Sequence, residues 1–157
     1  MLSGQSSVAV DVFVRLLRAH ASLTRELSAR LLAEHGLTIN DYEALLSLSR
    51  AEANRMRPVD LAGGLLLTPS GVTRLLEGLE RAGLVGREQC PADRRVTYAV
   101  LSDDGRARLR AAAASHVAAV EELVGRGLDR EELAQLAELL GRLPGAGGDG
   151  EACTPGA

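Results

Sequence analysis

Apolar residues recur at helical spacing over most of this sequence, which predicts a mainly α-helical chain. A broad stripe begins at Val8 and predicts a long first helix that reaches Glu34 and ends at Gly36. A second helix follows an N-cap at Thr38 or Asn40. The stripe of the first helix consists of Val12, Phe13, Leu16, Leu17, Leu23, Leu27 and Leu31.

The same periodicity predicts further helices. Residues 50–57 form a polar connector, and residues 59–65 form a short third helix after Pro58. Ser102 caps a long alanine-rich helix that runs to about Val124. Asp129 and Glu132 form a capping box that begins a last helix, which extends to Leu143. The apolar stripe of this last helix consists of Leu133, Leu136, Ala137, Leu140 and Leu143.

The stretch over residues 68–83 has the clearest helix signals. Thr68 is a good N-cap, Pro69 sits where a missing N–H costs nothing, and Gly83 can end the helix. One face is apolar and consists of Val72, Leu75, Leu76 and Leu79. Two short hydroxyls and an arginine are left near the helix start, namely Ser70, Thr73 and Arg74. Such side chains suit an element whose first turns enter the major groove of DNA.

Two short strands are predicted after this helix, over residues 84–89 and 96–101. The polar turn between them, residues 90–95, carries Arg94 and Arg95. Two helices followed by an arginine-tipped hairpin is the order of a winged helix-turn-helix. The alternative is a surface helix followed by an ordinary hairpin. We therefore predict a mainly α fold with a small β-hairpin wing and a helical dimerisation region formed by the N- and C-terminal helices.

On these residues the chain resembles the multiple-antibiotic-resistance (MarR) regulators. The matching stretches are residues 68–77, 79–85, 93–95 and 100–105, and the resemblance covers roughly residues 8–143. The helix-turn-helix pattern becomes specific in combination with the Asp-Arg-Arg wing and the helix start that follows it. Two features depart from the family pattern. Gly63 and Gly64 stand in the middle of the third helix, and Leu66 stands at the turn, which indicates a strained or loosely held turn.

The resemblance implies a homodimeric transcriptional regulator, usually a repressor, that is often released from DNA by a small molecule. It places the DNA contacts of the recognition helix at Thr68, Ser70, Gly71, Thr73 and Arg74, and those of the wing at Asp93, Arg94 and Arg95. It also implies that Asp93 braces a wing arginine, although a simple turn residue is the alternative. The resemblance also places a small-molecule cleft between the dimer helices and the winged module, walled by parts of the first, second and fifth helices. With few aromatic residues this cleft would be mainly aliphatic and would favour an apolar or amphipathic ligand with one anionic group.

We expect one domain over residues 8–143. Residues 8–36 and 102–143 would form the dimerisation helices, and residues 37–101 the winged DNA-binding module. Residues 1–7 and the Gly- and Pro-containing tail over residues 144–157 are expected to be disordered. The leucine stripes of the terminal helices exceed what one small domain covers, so we expect a second copy to cover them. The expected interface residues are Val12, Leu16, Leu133, Leu136, Leu140 and Leu143.

The net charge is −3, with 18 basic and 21 acidic residues, which argues against a protein that coats nucleic acid unselectively. Residues 55–95 hold seven arginines and five acidic residues, whereas the rest of the chain is acidic. A locally basic module on an acidic body fits specific DNA binding.

Two cysteines without a disulfide pattern indicate a reducing compartment. No leader opens the sequence and no apolar run approaches the ~20 residues of a membrane span, so we expect a cytoplasmic protein without a membrane partner.

Catalytic motifs are missing from the sequence, since it has no Gly-rich phosphate loop and no nucleophile elbow, and we expect no enzyme and no cofactor. His20, His35 and His116 lack local metal-ligand spacing and are interpreted as surface or packing residues. The resemblance leaves a zinc site open as an alternative, in which Glu34 and His35 would meet His116 between the helices. We predict no metal site.

Cys90 is the one cysteine with a candidate role. It lies in the wing near Arg87, Arg94 and Arg95, whose charges would favour a thiolate. Some members of the resembled family sense oxidants through cysteine, but its organic-hydroperoxide sensors carry theirs in the first helix, where this chain has none.

Together these observations predict a sequence-specific regulator that binds double-stranded DNA as a homodimer on a pseudo-palindromic operator. We expect a repressor that responds to a small-molecule effector of unknown identity. The alternatives are a helical adaptor that keeps the fold without binding DNA, and a redox-sensing regulator that uses Cys90. Arginines at both groove positions favour DNA binding over the adaptor.

Overall fold

The computed structural model describes residues 7–65 and 67–146, and it has the predicted mainly helical fold with a small sheet. The expectations for residues 1–6 and 147–157, and for strain at Leu66, lie outside the described residues. The elements in chain order are α1 Val8–His35, α2 Ile39–Arg50, a 3-10 turn Glu52–Asn54, β1 Arg55–Met56, α3 Pro58–Leu65, α4 Pro69–Arg81, β2 Val85–Gln89, β3 Thr97–Leu101, α5 Asp103–Val124 and α6 Arg130–Gly141.

Helix α2 lies at the centre of the core and contacts α1, α3, α4, α5 and β3. It is surrounded because its apolar residues are not confined to a narrow stripe, and five of its twelve residues are buried. These residues are Tyr42, Ala44, Leu45, Leu46 and Leu48. With aromatics at 2% of the sequence, the rest of the core is aliphatic, and its fully buried members include Leu31, Leu37, Leu61, Val72 and Leu109.

The helix starts follow the local capping signals. Thr38, not Asn40, caps α2, and it forms a capping box in which the Asp41 carboxylate accepts the Thr38 backbone N–H at 2.8 Å. Asp129 and Glu132 form the predicted box at the start of α6. Ser102 caps α5 by accepting the backbone N–H of Gly105 at 2.9 Å. These ends were predictable because each cap uses residues no more than three positions away.

The sequence predicted residues 50–57 only as a polar connector, and the structure shows regular elements in it that the sequence did not predict. It contains the 3-10 turn and strand β1, which pairs antiparallel with β3 so that the strand order is β1-β3-β2. Arg55 lies opposite Val100, and Met56 lies opposite Ala99. A strand of two residues is too short to show alternation, and the turn before it uses positive φ of 53° at Ala53 and Asn54.

Helix α5 joins the winged module to the terminal helices through a close backbone contact. A Cβ placed on Gly105 would lie 2.0 Å from the Leu84 carbonyl oxygen, so only glycine fits here. The C-terminal half of α1 packs against α5, and Arg30 bonds to Glu122 with an N–O distance of 2.8 Å.

The N-terminal half of α1 and the whole of α6 are poorly covered. The buried residues of α1 are Leu27 and Leu31, both in its second half, and α6 has no buried residue. Leu143, predicted as the last position of the α6 stripe, lies beyond the helix end at Gly141. In the described ranges, no helix combines the length and apolar character needed to cross a membrane.

Candidate nucleic-acid interface

Helix α4 is amphipathic in the manner that the sequence predicted. Val72, Leu76 and Leu79 are buried against the core, and Leu75 is half-buried. Thr68 caps the helix, and its hydroxyl accepts the backbone N–H of Gly71 at 3.1 Å. The exposed side of the first turns consists of Ser70, Thr73 and Arg74. This side is the part of α4 that is available to a groove.

The polar side chains on this side of α4 differ in whether they already form hydrogen bonds within the chain. The Thr73 hydroxyl donates to the Pro69 carbonyl oxygen at 3.0 Å, and the hydroxyls of Ser70 and Thr68 lie 3.2 Å apart. Arg74 makes no hydrogen bond or ion pair within residues 7–65 and 67–146. Its guanidinium donors are therefore all available to a ligand.

Gly71, predicted as a contact residue, is half-buried, and it has a local structural use. A Cβ at this position would lie 3.2 Å from the Thr68 hydroxyl oxygen, which caps the helix. A side chain here would crowd the cap. The structure thus gives Gly71 a part in helix initiation, while a direct contact with DNA stays a prediction.

The wing is a tight hairpin with exposed arginines at its end. Cys90 donates its backbone N–H to the Val96 carbonyl at 2.9 Å, which closes the loop. The Asp93 carboxylate accepts the backbone N–H of Arg95 at 3.0 Å. This bond shapes the turn through the backbone, which is the alternative interpretation of Asp93, rather than bracing a guanidinium. Arg94 and Arg95 are exposed, and their side chains have no partner in the described part of the chain.

Helix α4 and the hairpin lie side by side, with a cleft between them. Its lining residues are Pro58, Thr73, Leu76, Glu80, Arg87, Thr97, Tyr98 and Ala99. Thr73 therefore belongs both to the exposed side of α4 and to the wall that faces the wing. The structure brings the helix and the hairpin together in the arrangement of a winged helix-turn-helix.

Ion pairs neutralise some of the positive charge of the winged module. Three arginines each pair with a carboxylate: Arg55 with Glu88 at 2.9 Å, Arg57 with Asp60 at 2.8 Å and Arg87 with Glu80 at 2.5 Å. The hydrogen bond from Arg57 lowers the pKa of Asp60. Arg74, Arg81, Arg94 and Arg95 form no ion pair within the described residues. Arg81 donates only to the Glu77 carbonyl oxygen, at 3.2 Å. The unneutralised arginines therefore lie on the first turns of α4, at its C-terminal end and on the wing.

Cys90 is a half-buried free thiol whose pKa is lowered, but not by the arginines that the sequence indicated. Hydrogen bonds from the backbone amides of Asp93 and Ala92 lower the pKa most, and the Tyr98 hydroxyl and the charge of Arg55 add to the effect. Partial burial opposes them. A redox role for this thiol stays a prediction.

The histidines lie on α1 and α5, away from α4 and the wing. The Nε2 atom of His35 lies 2.6 Å from the Ser115 hydroxyl. The His116 ring contacts the Tyr42 ring in a tilted arrangement, with centroids 4.5 Å apart and an interplanar angle of 46°. His116 is buried, and burial lowers its pKa. Within the described ranges, no three His, Cys, Asp or Glu residues form a group suited to a metal ion. A small cavity of about 10 Å³ lies beside His116 and is lined by Leu27, Arg30, Leu31, Glu34, Ser115, His116 and Ala119.

Comparisons with known proteins agree with this geometry. The MarR family model matches residues 37–97, which span α2 to the start of β3. AbsC, a MarR family transcriptional regulator from Streptomyces coelicolor, is similar in sequence and structure. It has 35% identity and a TM-score of 0.76, over 87% of this chain and 92% of that one. The chain belongs to the MarR family. As a MarR protein it is a DNA-binding transcriptional regulator with a winged helix-turn-helix, and this assignment does not support the adaptor alternative.

Two other similar structures were solved with a bound molecule. Sco3205, a MarR family regulator from Streptomyces coelicolor, was solved in complex with DNA. It is 32% identical, with a TM-score of 0.74, over 82% of this chain and 80% of its own. CouR from Rhodococcus jostii RHA1 was solved bound to p-coumaroyl-CoA. It is 25% identical, with a TM-score of 0.71, over 87% of this chain and 94% of its own.

The sequence did not reveal the contacts that connect the MarR module's parts. Strand β1 and the pairs Arg55–Glu88 and Glu80–Arg87 join positions far apart along the chain. The neighbouring opposite charges of Arg87 and Glu88 indicate that both residues could form ion pairs, but they do not identify the partners.

Proposed function

We propose that this MarR-family regulator binds a pseudo-palindromic operator as a homodimer and acts as a repressor released by a small molecule. The observation that carries the DNA-binding part is the charge pattern of the winged module. Arg74, Arg94 and Arg95 are exposed and unpaired, whereas three neighbouring arginines are held by carboxylates. Unpaired guanidinium groups on both α4 and the wing match the two places where a winged helix meets DNA.

In this proposal each element has a separate task. Ser70, Thr73 and Arg74 enter the major groove, where an arginine reads guanine through two hydrogen bonds. Arg95 enters the minor groove and responds to its width and potential, and Arg94 contacts the backbone beside it. The Sco3205 complex with DNA supports DNA as the ligand of this module.

A homodimer is supported by the uncovered apolar residues of the terminal helices. Val12, Phe13 and Leu16 are exposed on α1, and Leu136 and Leu139 are exposed on α6. Exposed apolar patches of this kind commonly mark protein interfaces. A twofold dimer would also place two copies of α4 on two half-sites, which is the reason to expect a pseudo-palindromic operator.

An effector is supported by the CouR complex with p-coumaroyl-CoA and by the position of the cavity beside His116. The cavity lies between α1 and α5, and His116 also touches Tyr42 of α2. At about 10 Å³ it has room for about one water molecule, so a larger ligand requires these helices to separate. Such a movement would be transmitted to the winged module through α2.

The test begins with selection of bound fragments from the source genome, followed by affinity measurements over a salt series. We expect Arg74→Ala to reduce discrimination between operator and random duplex by ~1–3 kcal/mol. We expect Arg95→Ala to weaken both, most on A·T-rich flanks, and to reduce the log–log salt slope by ~1. Phenolic acids are then titrated against the complex of the protein with its operator, and a ligand of the proposed class should weaken DNA binding.

Arg110→Ala is the matched control, because Arg110 is exposed and unpaired within the described residues but lies on α5. It should leave both affinities unchanged. Failure to enrich any genomic fragment would contradict the DNA-binding proposal. An unchanged affinity and salt slope for Arg95→Ala would show that the wing does not touch DNA, and phenolic acids without effect would remove only the guess about the effector.

A further inference from the structure

Strand β2 carries two oppositely charged neighbours, Arg87 and Glu88, whose side chains point to opposite faces of the sheet. Arg87 lies opposite Ala99, which is buried, so Arg87 is on the face that packs toward the core and α4. There its Nε atom lies 2.5 Å from the Glu80 carboxylate in the last turn of α4. This ion pair connects the recognition helix directly to the wing.

Glu88 is held on the other face of the sheet. It lies opposite Tyr98, and its carboxylate accepts from the Arg55 Nη1 atom at 2.9 Å. The Arg55 guanidinium also lies 4.7 Å from the centre of the Tyr98 ring, in a cation–π contact. Arg55 therefore crosses from β1 over β3 to β2, and the hairpin is held by one ion pair on each face.

Core packing does little to orient the outer part of this hairpin. In β2 only Val85 is buried, and the four residues after it are exposed. The side chains of both pairs are themselves partly exposed, at 52% and 27% for Arg87 and Glu80. Ion pairs with this exposure contribute little to folding stability. Their effect is to restrict where the wing lies relative to α4.

We propose that Glu80 is a positioning residue for DNA binding, which through Arg87 sets the position of the wing relative to the recognition helix. Arg55 and Glu88 restrict the same hairpin from its opposite face. The inference rests on the proposed DNA function, in which α4 and the wing must enter adjacent grooves at the same time. A wing that pivots about its base would lose part of the contact made by Arg95 while α4 keeps its own.

The proposal predicts that Glu80→Ala changes operator affinity in the direction opposite to the one expected from charge alone. Removing a carboxylate from a DNA-binding module should tighten binding if the charge alone matters. We expect weaker operator binding instead, by about fivefold, which corresponds to ~1 kcal/mol. Glu77→Ala is the matched control, because it removes the same charge from the same helix, and the exposed Glu77 side chain has no ion pair in the described residues. Alanine is a strong helix former, so both variants should fold.

Two duplexes separate positioning of the wing from a general structural effect. One is the full operator, and the other lacks the flanking base pairs that the wing reaches. Glu80→Ala should lose affinity on the full operator and match Glu77→Ala on the trimmed duplex, where only the loss of charge matters. The charge-swapped variant with Glu80→Arg and Arg87→Glu should recover most of the loss, since it restores the pair in reverse.

Other outcomes overturn the inference. Glu80→Ala that binds the full operator as tightly as Glu77→Ala shows that the pair does not position the wing, and an equal loss on both duplexes shows a general structural role. A swapped variant that recovers nothing shows that Arg87 itself touches DNA. In each case a loss of discrimination by Arg74→Ala would leave the proposed function standing, so the two failures are distinguishable.

Discussion

At the scale of single residues, His116 is buried with its Nδ1 atom lacking a hydrogen-bond partner in the described part of the protein. Its ring contacts the Tyr42 ring of α2 at a tilt of 46°, and the charged residues around the adjoining cavity are Arg30 and Glu34 of α1. Burial lowers the pKa of His116, because the charged ring would lose its hydration. Folding therefore favours the neutral form of the His116 ring.

This gives the stability a defined dependence on pH. The unfolded chain takes up a proton on His116 near pH ~6.5, while the folded protein resists it, so stability falls as pH drops below that value and returns as pH rises. His116→Phe should flatten this dependence between pH 7.5 and 5.5, measured by denaturant unfolding at one protein concentration. His20→Gln is the control, because His20 is exposed on α1 and should leave the dependence intact. A variant with wild-type pH dependence would contradict the assignment.

At the scale of elements, α3 is the helix whose sequence departs most from good helix formers. Gly63 and Gly64 are exposed within it, and a Cβ on either would meet no other atom within 4 Å. The glycines are thus not required by a close contact in the chain itself. They weaken the first helix of the helix-turn-helix through backbone entropy.

Alanine at either position should therefore stabilise the protein by ~0.5–1 kcal/mol in denaturant unfolding. Gly105→Ala provides the opposite case, because its Cβ would lie 2.0 Å from the Leu84 carbonyl oxygen, and it should destabilise by more than that gain. If Gly63→Ala is stable but weakens operator binding, the glycine serves a close approach to DNA. If it lowers stability, the account of α3 is wrong.

At the scale of the whole molecule, the described chain leaves its two ends uncovered. Phe13 is 59% exposed on α1 and Leu139 is 57% exposed on α6, and α6 buries none of its residues. Within a single copy these helices leave apolar surface exposed to water. A second copy that packs α1 and α6 against their counterparts would cover it.

Replacing Leu136 and Leu140 by aspartate should therefore give monomeric or unfolded protein, checked by sedimentation and circular dichroism. Operator affinity should fall by on the order of 10²-fold, because the two half-sites are no longer bound by linked modules. Val59→Asp is the control for oligomeric state, because Val59 is 67% exposed but lies on α3. A folded monomer that binds operator at wild-type strength would exclude the obligate dimer.

Sequence alone determined the features that depend on near neighbours along the chain. The starts of α4, α5 and α6 follow from caps within three residues, and the buried face of α4 follows from its apolar spacing. For α2 the sequence left Thr38 and Asn40 open, and the structure decided for Thr38. Tertiary structure decided the rest, because the interacting residues are far apart in the chain. Arg55 meets Glu88, 33 positions later, only after β1 has joined β3. The pKa of Cys90 is lowered chiefly by backbone amides of the folded turn, and the arginine that adds to this effect is Arg55 of β1 instead of Arg87, Arg94 or Arg95. Residue patterns show which groups are present, but the distances that set their pKa values and partners exist only after the chain has folded.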